Sequence, residues 1–393
     1  MAAMQTAYDL KAPRHIPELT EVGRGTPMGE YLRRFWHPVG LCEDATARPR
    51  MVKALGEELV LFRDGQGRPG LLHPRCAHRG ASLYYGKTES RGIRCCYHGW
   101  LFDVTGACLE QPCEPELGVN RGSIRQPWYP VEERYGLVWA YMGPWDRKPL
   151  LPRHALLENL DAGEILDADD RSIGAGGPVI ADFNWFQHFE NIVDPFHVPV
   201  LHGTFSGVQF VDAMNQLPEV EFSEHDHGVR VTSYRSLGDG KRLRRITEAN
   251  VPTLRVVPSP RLDPAGPCTL VAWVLPMDDT SFRIYTVGRV QAKGDLQKIR
   301  SRMNGKLWEE LADDEHRDFP GDYEAQKSQG DITWHSHEHL ALSDRGIAML
   351  RRFMRRQVRI VADGGDPAGT AFVEGEEWVT SPAGNFVEEV AAD

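Results

Sequence analysis

The chain runs to 393 residues, 41% of them hydrophobic, which is enough for two domains with ordinary buried cores. A formal charge of −11 argues against a nucleic-acid-binding surface and against attachment to anionic membranes. Seven cysteines, an odd number, do not read as a disulfide framework; with no apolar signal core near the N-terminus and no run near the ~18 apolar residues of a membrane span, a reduced, cytoplasmic setting is expected.

Residues 1–30 read as an irregular entry leading into a short helix around Met28–Phe35. From Met51 to Arg63 apolar residues and turn signals predict strands, closed by the turn DGQGRPG at 64–70. Residues 72–103, LHPRCAHRGASLYYGKTESRGIRCCYHGWLFD, then carry Cys76-x-His78 and Cys95-x-x-His98. Two thiolates and two imidazoles in two mixed pairs meet the demand of a Rieske [2Fe–2S] centre, where one iron takes both sulfurs and the other both nitrogens. Each loop then gives one ligand to each iron. The same four residues could close a tetrahedral zinc shell, although zinc knuckles usually pair like with like. Of the adjacent cysteines only Cys95 leaves two residues before His98, so Cys96 is expected to be a small core filler. Gly80, Gly86 and Gly99 suit backbone that must pass close to something, and Trp100 is expected to shield the centre from water. Cys108 and Cys113 flank a turn and are expected to be structural or free. The short-strand texture continues to GLVWAYMGP at 136–144 and ends within WDRKPLLPRHALLENL, residues 145–160.

Beyond residue 150 the texture becomes α+β. Residues 182–203, DFNWFQHFENIVDPFHVPVLHG, predict a helix capped by Asp182 and ending in Asp194-x-x-His197-x4-His202. On an unbroken helix a five-residue offset sets two side chains about 140° apart. Pro195 and Pro199 interrupt the hydrogen-bond ladder, and a kinked helix end can swing His202 back toward His197. Two histidines and one carboxylate make the facial donor set of non-haem Fe(II) oxygenases. Strands are predicted at 218–236, 243–258, 267–276 and 281–292, and helices at 295–317 and 343–362. The last helix has Ser343 as its cap, an apolar stripe of Ile347, Leu350, Phe353, Met354, Val358 and Val361, and Gly364–Gly365 as its stop. Its arginines, Arg345, Arg351, Arg352, Arg355, Arg356 and Arg359, could dock an acidic redox partner or simply face water. The tract His335-Ser-His337-Glu-His339 reads as a solvated loop rather than a metal site.

The two constellations together resemble the α subunit of Rieske non-haem iron oxygenases, down to CAHRGA and YHGW-x-FD, over nearly the whole chain. The resemblance implies an all-β Rieske domain at residues 1–150, with cluster loops at 72–103, and an α+β catalytic domain at 151–393 of the helix-grip, START-like kind with an antiparallel sheet. It implies that Cys76, His78, Cys95 and His98 hold the cluster. It further implies that His197 and His202 hold a mononuclear Fe(II) with a carboxylate from FPGDYEAQKSQGDIT, assigned to Asp322, with Asp318 and Asp331 as rivals. Asp194 in the family lies between the two metal sites of neighbouring subunits, so a homotrimer or a multiple of it is implied. Asn191 is expected near the open side of the iron. No G-x-G-x-x-G follows a strand (GAGGPV at 174–179 has the wrong spacing), and there is no P-loop. Electrons must therefore come from a separate NAD(P)H-dependent reductase or ferredoxin, with O₂ as co-substrate. LRRFWHPVG, ENIVDPFHVPVLH and EHLALSDRGIAMLRR are most similar to the phthalate dioxygenase and O-demethylase branch. That branch hydroxylates or oxidatively demethylates aromatics, often carboxylated ones. Arg235, Arg242, Arg244, Arg245 and Arg255 could anchor a carboxylate. A plain electron carrier, an oxygenase of non-aromatic substrates and a zinc-bound interaction protein are the competing readings.

Overall fold

The computed structural model describes residues 6–171, 177–206, 210–260, 265–298 and 306–390. Three small antiparallel sheets build the N-terminal part. The first joins Trp36–Leu41, Leu137–Tyr141 and Val131–Arg134; the second Arg50–Ala54, Glu57–Arg63, Pro69–Leu72 and Trp128–Tyr129. The third, Lys87–Glu89, Gly92–Arg94, Leu101–Phe102 and Cys108–Glu110, carries the cluster loops at its ends. A small core of Val60, Phe62, Leu72, Ile93 and Phe102 lies beneath those loops, and Cys76, Cys95 and Trp100 are part of it.

The larger core is continuous from Leu19 to Val358 and spans both halves of the chain. Trp139 of the first small sheet meets Trp273 of the C-terminal part edge to face at 4.9 Å. The C-terminal sheet has nine strands, ordered Ile165–Asp169, Ser281–Val290, Leu270–Asp278, Leu254–Val256, Lys241–Asn250, Gly228–Gly238 and Glu219–His225 along its main path. Neighbours in that path are antiparallel. The predicted strands fall on six of these, with 218–236 split by the turn at Asp226–His227 and 243–258 by the one at 251–253.

The helix Arg345–Ala362 buries Met349, Leu350, Phe353, Met354 and Val358, with Ile347 and Val361 partly covered. Asp344, not Ser343, precedes its first turn. Gly364 follows its end at φ 83°, a left-handed position that costs glycine little. The long helix predicted at 295–317 is broken into Asp295–Lys298, a short turn at Trp308–Glu310 and Asp313–Asp318, and its stretch 299–305 lies outside the described residues. Local capping explains the break: Glu310 accepts from Leu307 N–H and Glu315 from Ala312 N–H, both at short range. Each acidic side chain thereby starts a new turn instead of extending the old one. Asp182 is not the cap of the next helix either. Trp185–Asn191 is capped by Asn184, which accepts from Phe186 N–H, while Asp182 takes the Tyr323 hydroxyl at 2.6 Å.

Candidate metal centres and active-site cavity

The two cluster loops share one backbone design. Cys76 N–H donates to Ala81 O and its own carbonyl accepts from Gly80; Cys95 N–H donates to Trp100 O and its carbonyl accepts from Gly99. Gly80 and Gly99 both sit at positive φ, 76° and 72°, which is what closes each five-residue turn without strain. The histidine follows at the second place in one turn and the third in the other. His78 and His98 meet at 4.5 Å between ring centres, and Trp100 stacks on His78 at 4.5 Å and 4°. The sulfurs lie on the buried side and the imidazoles on the exposed side.

Paired sulfurs on the inner side and paired imidazoles on the outer side match a two-metal cluster in which one iron takes both thiolates and the other both imidazoles. Burial, with Cys95 alongside, pushes the Cys76 thiol up to about 12. Two thiolates side by side in that apolar core need the positive charge that a pair of irons brings. Cys96 is exposed at the turn's tip beside Tyr97, not a core filler, because the closed Cys95–Gly99 turn projects its middle residues outward. All seven cysteines are unbridged; Cys108 is buried and Cys113 exposed.

The second donor set assembles from two distant segments. His197 closes one end of a π-helix, Val198–Phe205, that contains His202. Hydrogen bonds in a π-helix join residues five apart, so His197 and His202 stand one turn above each other. Their rings are 5.4 Å apart. A wider helical turn, rather than a proline kink, brings them together. Asp322 opens the helix Asp322–Lys327 and sets Oδ1 3.3 Å from His202 Nε2 and 3.6 Å from His197 Nε2. The Ser206 hydroxyl donates to Pro320 O, tying the two segments together. Burial pushes the Asp322 carboxyl up, yet His202 and His197 hold it well below the usual carboxylate range.

Two nitrogens and one oxygen converging within 4.8 Å could hold a metal while leaving other coordination positions open. The rivals are elsewhere: Asp318 is exposed and Asp331 pairs with Lys327 at 2.7 Å. Asp194 Oδ2 lies 3.5 Å from His197 Nδ1. Asn191 Nδ2 donates to Asp322 Oδ1 at 3.3 Å, so it steadies the carboxylate. A second cluster of Glu190, His335 and Glu338 also comes within 4.8 Å, but the Arg351 guanidinium occupies it, bonded to both carboxylates. It is an ion-pair network, not a metal site.

A cavity of about 280 Å³ separates this donor set from the sheet, lined by Phe183, Phe282, Ile284, Val231 and others. Sequence reasoning missed the polar group on its floor. His188 Nε2 receives Arg255 Nη1 at 2.9 Å, and its Nδ1 lies 3.0 Å from Gln326 Oε1. Since arginine only donates, His188 carries its proton on Nδ1. Burial, reinforced by Arg255, pulls its pKa down to about 3. The available signal was the spacing of His188 and Asn191, three apart on one helix face. Strand alternation sorts the five arginines. Arg235, Arg245 and Arg255 face the cavity, while Arg242 and Arg244 point away and pair with Glu388.

Fold and donor sets define a class: an all-β iron–sulfur module joined to an α+β domain with a two-histidine, one-carboxylate site. Residues 35–126 match the Rieske [2Fe-2S] domain family. Over 385 residues the chain is 51% identical to the phenoxybenzoate dioxygenase subunit alpha of Ectopseudomonas oleovorans, covering 97% of this chain and 94% of that one. It is 36% identical to the tert-butanol monooxygenase / tert-amyl alcohol desaturase oxygenase subunit of Aquincola tertiaricarbonis, across 88% and 77% of the two chains. The fold matches the crystal structure of dicamba monooxygenase bound to dicamba with a TM-score of 0.63 at 17% identity, covering 84% and 99%. The chain belongs to the Rieske non-haem iron oxygenases, as an oxygenase α subunit. It is an oxidoreductase of a family that works with a [2Fe–2S] cluster and a mononuclear iron. Among the described residues no helix is long and apolar enough to cross a membrane.

Proposed function

We propose that this chain is the terminal oxygenase component of a system in which a separate NAD(P)H-dependent reductase or ferredoxin supplies electrons. With O₂ it hydroxylates or oxidatively demethylates an aromatic substrate. The observation that carries this reading is the convergence of His197, His202 and Asp322 on the wall of a largely apolar cavity. Cys76, His78, Cys95 and His98 would hold the cluster, and His197, His202 and Asp322 the mononuclear iron. When bound, these groups supply stored electrons and activation of O₂.

The chain's own residues do the rest. Asp194, facing His197 Nδ1, keeps the proton on that nitrogen and leaves Nε2 free as a donor. Asn191 holds Asp322 in place. Phe183, Phe282 and Ile284 exclude water and pack against a ring. Residues 1–150 and 151–393 are the proposed domains, and a cyclic homo-oligomer, most simply a trimer, sets His98 of one subunit beside Asp194 of the next. Unbridged cysteines support a reduced, cytoplasmic setting.

The 36% identity to a subunit named for tert-butanol keeps a non-aromatic substrate as the second reading. Metal analysis and a substrate panel decide. Wild type should carry about three irons per chain, and Asp322→Ala about two with its cluster signal intact. Aromatic acids, methoxyaromatics and tertiary alcohols, supplied with a surrogate reductase, are scored by product mass. Two irons in the wild type would indicate an electron carrier, and oxidation of the alcohols alone would establish the second reading.

A further inference from the structure

Three arginines line the sheet side of the cavity without an acidic partner. Arg235 and Arg245 are 3% and 7% exposed, on neighbouring antiparallel strands where Ser233 faces Arg245. Arg255 comes from the next strand, where it faces Ala249 and Ala272. Their hydrogen-bond partners are all neutral. Arg235 donates to Gln216 O and Ser233 Oγ, Arg245 to Pro258 O, Ser259 O and Asn385 Oδ1, and Arg255 to His188 Nε2.

Several other covered arginines of this fold pair with carboxylates. Arg351 meets Glu190 and Glu338, Arg230 meets Glu248, and Arg289 meets Glu164 and Asp161. Among the described residues, the other buried arginines, Arg33, Arg34 and Arg351, all meet a carboxylate, whereas Arg235 and Arg245 do not. A buried cation without a counter-ion is costly, and here the cost is repeated on one wall. Burial lowers Arg235 and Arg245 to about 10, with Arg235 adding repulsion on Arg245, so both remain charged at neutral pH. Across the cavity, Asp322 is the acid that attracts Arg255, and its carboxylate is committed to the histidines.

We infer that Arg235, Arg245 and Arg255 form an anion-binding wall that takes the carboxylate of an aromatic acid, leaving its ring against the apolar lining. Among the described residues, Arg235 Nη2 and the Nε and Nη2 of Arg255 have no protein partner, so these are the contacting donors. Arg245, both of whose terminal nitrogens are held, contributes charge and positions the wall. Fixing one end of the molecule at the sheet decides which end lies toward His197, His202 and Asp322, so the wall would set regiochemistry as well as affinity. The inference rests on the oxygenase reading only for the role of that opposite wall.

The test uses the purified holoprotein and calorimetric titration with phenoxybenzoate and with uncharged diphenyl ether. Wild type should bind the acid at least ~10-fold more tightly than the ether, and Arg235→Gln or Arg255→Gln should remove ~10-fold or more of the acid's affinity while barely changing the ether's. Arg255→Lys, which keeps charge but not the fork, should retain part of the preference. Circular dichroism of each variant checks folding. Equal affinity of acid and ether in wild type, no binding of the acid, or an unchanged acid-to-ether ratio in the folded variants overturns the inference. Product analysis separates this result from the oxygenase reading. Arginine-dependent binding with no oxygenated product from any compound leaves the wall standing and removes the oxygenase. Neutral and acidic aromatics oxygenated equally well would do the reverse.

Discussion

The carboxylate of Asp194 accepts from the backbone N–H of Phe196 at 3.0 Å and of His197 at 3.3 Å through one oxygen. Its other oxygen faces His197 Nδ1 at 3.5 Å. One side chain thus shapes the turn before the π-helix and sets a carboxylate oxygen beside the imidazole Nδ1, as the proposed tautomer-fixing role requires. Asp194→Asn keeps the size and the turn-forming oxygen but removes the charge. Turnover should fall about 10- to 100-fold, the range seen when such supporting groups are lost. Iron content and chemical reduction of the cluster should stay at wild-type levels. Product formation and stopped-flow reoxidation of the cluster measure the two effects separately, and full turnover in the variant would reject the assigned role.

At the scale of elements, two contacts hold the donor segments in register. The π-helix Val198–Phe205 converts a five-residue spacing into one turn. Helix Trp185–Asn191, which leads into it, is anchored to Arg345–Ala362 by the buried pair of Glu190 and Arg351, with side-chain exposures of 9% and 8%. Arg351 also reaches Glu338 at 2.6 Å, so one guanidinium clamps both helices and the loop of His335 and His337. Within the tract His335 lies against this ion-pair network, while Ser336 and His339 are exposed as a solvated loop requires. Arg351→Met removes the clamp and strands a buried carboxylate. It should cost about 3–5 kcal/mol of stability, the usual result of breaking one side of a buried pair. Urea denaturation followed by far-UV circular dichroism reads that loss as a lower midpoint. A midpoint within error of wild type would mean the network is dispensable.

For the whole molecule, the continuous core from Leu19 to Val358 makes the two halves one packed body, while the cluster histidines sit on its surface at His78 and His98. Asp194 is only partly covered, with 27% of its side chain exposed. Surface placement of both ends is what a link between subunits requires. Cys95→Ser and His202→Ala chains, each inactive alone, should regain activity when co-expressed and purified as mixed oligomers. Random assembly predicts about one quarter of the wild-type rate per chain, because that share of neighbours unites an intact cluster with an intact donor set. No recovery in demonstrably mixed oligomers would place the electron path within a single chain.

The local chemistry was legible in the sequence because it is short-range. A cysteine and a histidine two or three residues apart share one closed turn, and Gly80 and Gly99 mark where each turn must adopt positive φ. The apolar stripe of 343–362 and most strands of the large sheet could be read the same way, from periodicity alone. Where side chains choose between local partners, the sequence pattern misleads. Asn184 caps where Asp182 was expected, Glu310 and Glu315 break the expected helix at 295–317, and Cys96 faces solvent. Asp322 lies 120 positions from His202 and is singled out in the sequence only by family resemblance, since no periodicity links residues so far apart. Only the closing of the nine-stranded sheet over the helices brings that carboxylate to the two histidines. The same closure turns Arg235, Arg245 and Arg255 inward while Arg242 and Arg244 pair with Glu388. Sequence alone determined the ligand types and the turns that present them; tertiary structure decided which distant charges share a cavity, because that depends on strand register and packing.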